Sequence, residues 1–255
     1  METETATVEP WGLAGDRRWV VTGAEGRMHT QRTLPRMALV SADYDAQGRL
    51  RLSAPGLPDF VVAPPRRSAG AQAAEVAVWR FRGPAAWAGA EADDWLSRVL
   101  DEPSRLAHMD DTSVRSVDPE FGRQDDRVSF ADGYPLLLTT TASLAALNDS
   151  IAELGGEGVS MTRFRPNVVI EGTQPWAEDH WKQVRIGGQG FRVAKPCGRC
   201  VMTTVDPERG VLTGQQPLKA LRKHRRSGKS VLFGMNLIPD TVGPLTVGDR
   251  FTVLG

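Results

Sequence analysis

Cysteine is scarce: the 255 residues hold two, Cys197 and Cys200. Two thiols three positions apart make a poor disulfide framework, which points away from a disulfide-stapled secreted scaffold and towards a reducing cytoplasm. They cannot close a four-ligand zinc site either, because no second pair exists. Histidine is sparse, and His29, His108, His180 and His224 stand at no metal-ligating spacing. Net charge is absent: 31 basic residues balance 31 acidic ones, which argues against a chain whose main task is coating nucleic acid. No run approaches the ~18 apolar residues of a membrane span, so no membrane partner is expected. Met1-Glu2-Thr3-Glu4-Thr5 has no basic or apolar region and does not read as a signal peptide. A Gly-rich nucleotide loop and a Gly-x-Ser-x-Gly elbow are also missing.

The composition present is that of an ordinary globule, 40% apolar and 24% charged, long enough for one large domain or two small ones. Short apolar runs broken by turn residues suggest strands at Trp19–Thr22, Met37–Tyr44, Leu50–Leu52 and Val76–Phe81. Pro64–Ser68 reads as a surface loop. Acidic residues open an expected helix over Glu91–Leu100. Residues 101–127, charged and interrupted by Pro103, Pro119 and Gly122, read as a connection between domains. Leu144, Leu147, Ile151 and Leu154 share one helical face, with Thr and Ser hydroxyls at its start and Gly155-Gly156 at its end. Further strands are expected at Phe164–Ile170, Val184–Ile186, Phe191–Val193 and near Leu245–Leu254. The fold class is therefore α+β, β-rich and barrel-like.

Three constellations have chemical potential. Read as a strand, Arg163-Phe164-Arg165-Pro166-Asn167-Val168-Val169-Ile170 places Arg163, Arg165 and Asn167 on one face. Such a face suits an anion or a heterocycle, and equally a solvated strand edge. Arg17, Arg18, Arg32 and Arg36 cluster near short strands, either as anion contacts or as ordinary surface charge. Cys197 and Cys200 read as a lone soft metal ligand with a spectator, or as two inert thiols; a thioredoxin-type pair lacks its βαβ context. The basic stretch Lys219–Lys229 reads first as a solvated helix face and second as a docking site for an acidic partner.

Several spaced motifs share one order. They are Gly12-Leu13-Ala14-Gly15-Asp16-Arg17-Arg18-Trp19, Thr30-Gln31-Arg32, Phe130–Leu136, Ala142–Asn148, Arg163–Asn167, Ala177-Glu178-Asp179, Pro196–Gly210, Phe233-Gly234 and Val247-Gly248-Asp249. By these motifs the chain resembles the MOSC-domain proteins with an N-terminal β-barrel domain, in particular the amidoxime-reducing components of mitochondria and their bacterial counterparts. The resemblance implies a β-rich domain over residues 1–102 and a MOSC domain over 118–255. It implies a molybdenum cofactor, Mo-molybdopterin, with Cys200 as metal ligand and catalytic residue and Cys197 as a non-ligand. Arg165 and Asn167 match cofactor contacts, and Arg17 matches an arginine near the cofactor phosphate. Arg32, Arg163, Thr140, Ser143 and Arg199 lie in segments counted with the cofactor-binding set.

The implied activity is reduction of small N-hydroxylated compounds, amidoximes and hydroxylamines. Because the chain stops at Gly255, electrons are expected from a separate donor of iron–sulfur, flavin or haem type. The other classes are a non-enzymatic module carrying the molybdenum cofactor or sulfur, and a chain whose cofactor cradle has degenerated. One departure stands out: the family's first strand, ending in a Tyr-Pro-Val-Lys-Ser-like segment, has no counterpart. It is expected to have been lost to a late start or to be lacking from the cradle.

Overall fold

The computed structural model describes residues 3–67 and 72–255. Ser68, the end of the expected Pro64–Ser68 loop, lies outside the described residues, as do Met1 and Glu2. The architecture is β-rich with three α-helices, α1 (Ala90–Leu100), α2 (Thr141–Glu153) and α3 (Leu218–His224), among the described residues. The chain divides into two compact units.

The larger unit takes the described residues of Met1–Ala14 with Ser116–Thr204 and Thr213–Gly255. Its main sheet runs in the order Val168–Ile170, Leu136–Thr140, Ser230–Pro239, Gln189–Arg199, Gln183–Ile186, Phe251–Val253. Only the Leu136–Thr140/Val168–Ile170 pairing in this sheet is parallel, and α2 makes the crossover between those strands. Leu136, Leu138, Ile170, Val184, Phe191 and Leu237 fill one core, each worth about 1.5–3 kcal/mol when fully buried. A second core lies against α2 and α3, where Leu147, Ile151, Leu218 and Leu221 meet Phe164, Val231 and Phe233. Thr140 caps α2 by accepting the Ser143 N–H at 3.0 Å, and Gly155 at φ +71° follows its end.

The smaller unit takes Gly15–Arg115 and Val205–Leu212. It holds a sheet in the order Trp19–Thr22, Arg105–His108, Phe81–Trp87, Ala73–Val78, and another in the order Ser41–Tyr44, Leu50–Ala54, Leu57–Val62. The apolar stripe of α1 (Ala92, Trp95, Leu96, Val99) packs on Leu50, Leu52 and Leu106.

Three expectations need correction. Residues 101–127 are not merely a connection, since Arg105–His108 is an inner strand with neighbours on both sides. Val76–Phe81 is not one strand but a hairpin corner, with Trp79 at φ +55° between Ala73–Val78 and Phe81–Trp87. The Met37–Tyr44 run splits into a 3-10 turn, Pro35–Leu39, and the strand Ser41–Tyr44. Thr5–Glu9 pairs with Gly243–Thr246, which places the N-terminal segment in the larger unit, and 205–212 falls in the smaller one.

Candidate functional site

The two longest strands of the main sheet, Gln189–Arg199 and Ser230–Pro239, pair antiparallel with a register shift between Pro196/Met235 and Gly198/Leu232. The extra residue of that irregularity lies on the second strand, around Phe233-Gly234. Gly234 sits at φ +75°, and a Cβ there would come within 2.6 Å of the Leu138 carbonyl oxygen. Only glycine fits, which gives the Phe233-Gly234 motif its physical reason. The Phe233 carbonyl accepts a hydrogen bond from Arg199 Nε at 2.9 Å, and the Phe164 carbonyl accepts one from Arg199 Nη1 at 3.2 Å. The same guanidinium lies over the rings of Phe164 and Phe233, 5.4 and 6.0 Å from their centroids. Those rings stack on each other at 4.0 Å. Arg199 is thus held in place by carbonyls and aromatic faces together.

Cys200 follows where the strand ends. Its carbonyl accepts the Thr203 N–H at 3.1 Å and the Thr203 hydroxyl at 3.0 Å, which starts the 3-10 turn Val201–Thr204. The Thr204 carbonyl in turn accepts the Thr213 N–H at 2.8 Å. The half-buried Cys200 lines a cavity of about 390 Å³ with Arg199, Gln215, Arg222, Lys229 and Val231. Arg222 comes from α3, whose Leu218, Ala220 and Leu221 are buried, and Lys229 from the turn before Ser230–Pro239. The basic stretch is therefore only partly a solvated face, because two of its cations line the cavity beside the thiol. Cys197 lies within the strand Gln189–Arg199, and both cysteines are free thiols. Residues three apart with extended chain between them are separated by about 10 Å and face opposite ways. A disulfide needs Cα atoms within about 7 Å, so Cys197 and Cys200 are not poised to form one.

The remaining expected site residues distribute as follows. The strand expected over 163–170 is replaced by a 3-10 turn, Met161–Phe164, then Arg165 at φ +52° and a short strand, Val168–Ile170. The alternating face of Arg163, Arg165 and Asn167 therefore does not exist; Pro166 removes a ladder donor where the strand would have run. Arg163 Nη1 reaches the Thr213 hydroxyl at 3.4 Å, and Arg165 is exposed. Asn167 Oδ1 accepts the Leu137 N–H at 3.0 Å while its own N–H donates to the Leu137 carbonyl at 2.9 Å, extending the sheet through a side chain.

Thr140 and Ser143 are fully buried and bond to each other at 2.8 Å. Ser143 donates to Glu178 Oε2 at 2.9 Å and accepts the Trp176 N–H at 2.8 Å. These two hydroxyls build a buried cluster around Glu178 and do not line the Cys200 cavity. Arg17 and Arg32 belong to the other unit. Arg17 sits at φ +52° with its guanidinium on Asp16, and Arg32 lies 4.7 Å over the Trp79 ring.

Sequence reasoning missed the roles of Glu178, Arg222 and Lys229. In the sequence Glu178 stands out only as part of the Ala177-Glu178-Asp179 motif; it is fully buried, and burial pushes its carboxyl above the ordinary carboxylate range. Among the described residues no group of three or more His, Cys, Asp or Glu side chains gathers to hold a metal ion, so Cys200 stands as a solitary thiol donor.

Comparison with known proteins matches the MOSC N-terminal beta barrel domain to residues 1–103 and the MOSC domain to residues 125–252. The chain belongs to the MOSC-domain family. It is 32% identical over 257 residues to mitochondrial amidoxime-reducing component 1 of Homo sapiens, covering 96% of this chain and 74% of that protein. The corresponding Mus musculus protein is 34% identical over 260 residues, with 96% and 74% covered. Mitochondrial amidoxime reducing component 2 of Homo sapiens is 32% identical over 251 residues, with 93% and 73% covered. Cys200 and the cavity around it fall inside the MOSC domain match. Among the described residues of this MOSC protein no helix is long and apolar enough to cross a membrane.

Proposed function

We propose that this MOSC-family chain is a molybdenum-cofactor-dependent reductase of N-hydroxylated compounds, amidoximes and hydroxylamines, supplied with electrons by a separate donor protein. The observation that carries the reading is the half-buried Cys200 thiol in a cavity lined by Arg199, Arg222 and Lys229. The donor set fits the group: one soft sulfur suits molybdenum, and three cations suit an anionic pterin dithiolene and its phosphate. The names of the similar proteins point the same way.

When bound, the cofactor supplies a two-electron centre at which an N–O bond is reduced. The chain's own residues hold and orient it. Cys200 provides the protein's sulfur, fixed by the hydrogen bonds that tie its carbonyl to Thr203. Arg199, immobilised on Phe164 and Phe233, presents a preorganised positive charge at the cavity wall. Arg222 and Lys229 are exposed at the rim and attract anionic groups into it. Overall, an amidoxime takes up two electrons and two protons; its N–O bond breaks, the oxygen leaves as water and the amidine remains.

The test is expression in a cofactor-sufficient host, followed by molybdenum and pterin analysis and by benzamidoxime reduction with dithionite-reduced methyl viologen. The expected result is stoichiometric cofactor and turnover, lost in Cys200→Ala and largely kept in Cys197→Ala. Replacing Arg222 and Lys229 together by Ala is expected to lower pterin retention about tenfold. Comparable turnover in Cys200→Ala would overturn the proposal. So would a persulfide on either cysteine without reductase activity, which is the signature of a sulfur carrier.

A further inference from the structure

The smaller unit holds a second cavity, of about 610 Å³, whose lining shares no residue with the Cys200 cavity. One wall is the loop after Trp19–Thr22. Gly26, at φ +76°, presses that loop against the neighbouring strand so closely that a Cβ would collide with the Glu75 carbonyl oxygen. The Met28 N–H donates to the Ala77 carbonyl at 3.0 Å, and the Ala77 N–H donates to the Gly26 carbonyl at 2.8 Å. The facing wall is the hairpin corner at Trp79, held in the left-handed region that side chains rarely adopt. Arg82 Nη1 braces this corner by donating to the Trp79 and Phe81 carbonyls at 3.2 and 3.1 Å. The Arg32 guanidinium covers the Trp79 ring at 4.7 Å.

Three arginines, Arg27, Arg32 and Arg82, therefore line one concavity with Trp79 and Met28 as its apolar surface. None of the three pairs with a carboxylate among the described residues, although Glu25 also lines the cavity. All three are exposed, so they repel one another little and stay open to an incoming anion. The concavity is half open to solvent, and its volume falls in the range of small-molecule sites.

We propose that this cavity binds a small organic anion, a carboxylate or phosphate carried on an apolar body. The anionic head meets Arg27, Arg32 and Arg82, and the body lies against Trp79 and Met28. The site is independent of the cofactor reading.

The test is calorimetric titration of the full, cofactor-loaded chain with 1-naphthyl phosphate and with 1-naphthoate, beside 1-naphthol and inorganic phosphate. One saturable site is expected for at least one naphthyl anion, and the better of the two identifies the head group. Naphthol and inorganic phosphate are expected to bind at least about tenfold more weakly. Arg27→Ala, an exposed position whose loss leaves the fold intact, is expected to weaken binding about tenfold, and Arg27→Lys to restore most of it. Molybdenum and pterin content stay unchanged at saturation. Absence of saturable binding overturns the proposal, as does naphthol binding equally well. Binding that survives Arg27→Ala but disappears in Arg222→Ala, or that releases pterin, assigns the anion to the cofactor's own cavity and overturns it too.

Discussion

Glu178 is the residue whose chemistry departs furthest from its sequence neighbourhood. Its Oε2 accepts from Ser143 at 2.9 Å, while Oε1 is buried with no hydrogen-bond partner. Burial disfavours the charged form and outweighs the Ser143 bond, so the folded carboxyl titrates above 4.5. Asp179, paired with Arg225 at 2.6 Å, is the neighbouring charge. A folded pKa above the unfolded one means that stability is fully present below the unfolded value and is lost as pH rises through the folded value. Glu178→Gln keeps the shape without the proton. Urea midpoints measured between pH 5 and 8 are expected to fall for the wild type relative to the Gln variant as pH rises; a wild type that gains on it would refute the assignment. Cys197 and Cys200 make the complementary point, since equal residue types three apart acquire unequal surroundings once a strand runs through one and ends before the other.

At the scale of elements, the site depends on an irregularity. The register shift at Phe233-Gly234 accompanies the carbonyl contact that holds Arg199, and Gly234 is its hinge. Gly234→Ala is expected to cost about 1–3 kcal/mol, from positive φ and from collision with the Leu138 carbonyl. Thermal unfolding reads the loss, and pterin retention reads the displacement of Arg199. The start of α2 is a second such junction. Thr140→Ala removes the cap to the Ser143 N–H and a hydroxyl facing Glu178, and about 1–2 kcal/mol is expected to go with it. Thr140→Ser is expected to keep most of that, because the oxygen is retained.

For the whole molecule, buried charges bound the pH range of stability from both sides. Asp110 is pushed upward by burial, but the Arg67 guanidinium and the Thr112 hydroxyl outweigh this and hold its carboxyl well below the usual range. Asp126 behaves alike beside Arg192, with which it pairs at 2.6 Å. A depressed folded pKa contributes stability above the unfolded value of 3.8 that is lost as pH falls through the folded one. Buried His108 is shifted down by desolvation, so it too weakens the fold once pH drops below 6.5. Glu178 acts in the opposite sense, its contribution being lost as pH rises. Asp110→Asn is expected to lose about 3 kcal/mol at pH 7 by leaving Arg67 without its carboxylate, and to show a flatter acid limb in denaturant titrations.

Periodicity and punctuation were enough to read α1, α2 with a hydroxyl-rich start, most strands and the β-rich class, because those signals are local; which hydroxyl caps, Thr140, came from the structure. Nine motifs in order were enough for the family, while Cys200 was set apart from Cys197 only by the family resemblance, since spacing alone left two equivalent thiols. Residues 163–170 alternate like a strand, yet Pro166 and the burial of Phe164 against Phe233 turn them into a 3-10 corner. The burial of Glu178, the arrival of Arg222 and Lys229 beside Cys200, and the cavity under Trp79 each depend on segments distant in sequence. Local pattern carries backbone preference and one-face burial; which side chains meet across the fold is set by pairing register and core packing, which no short window contains.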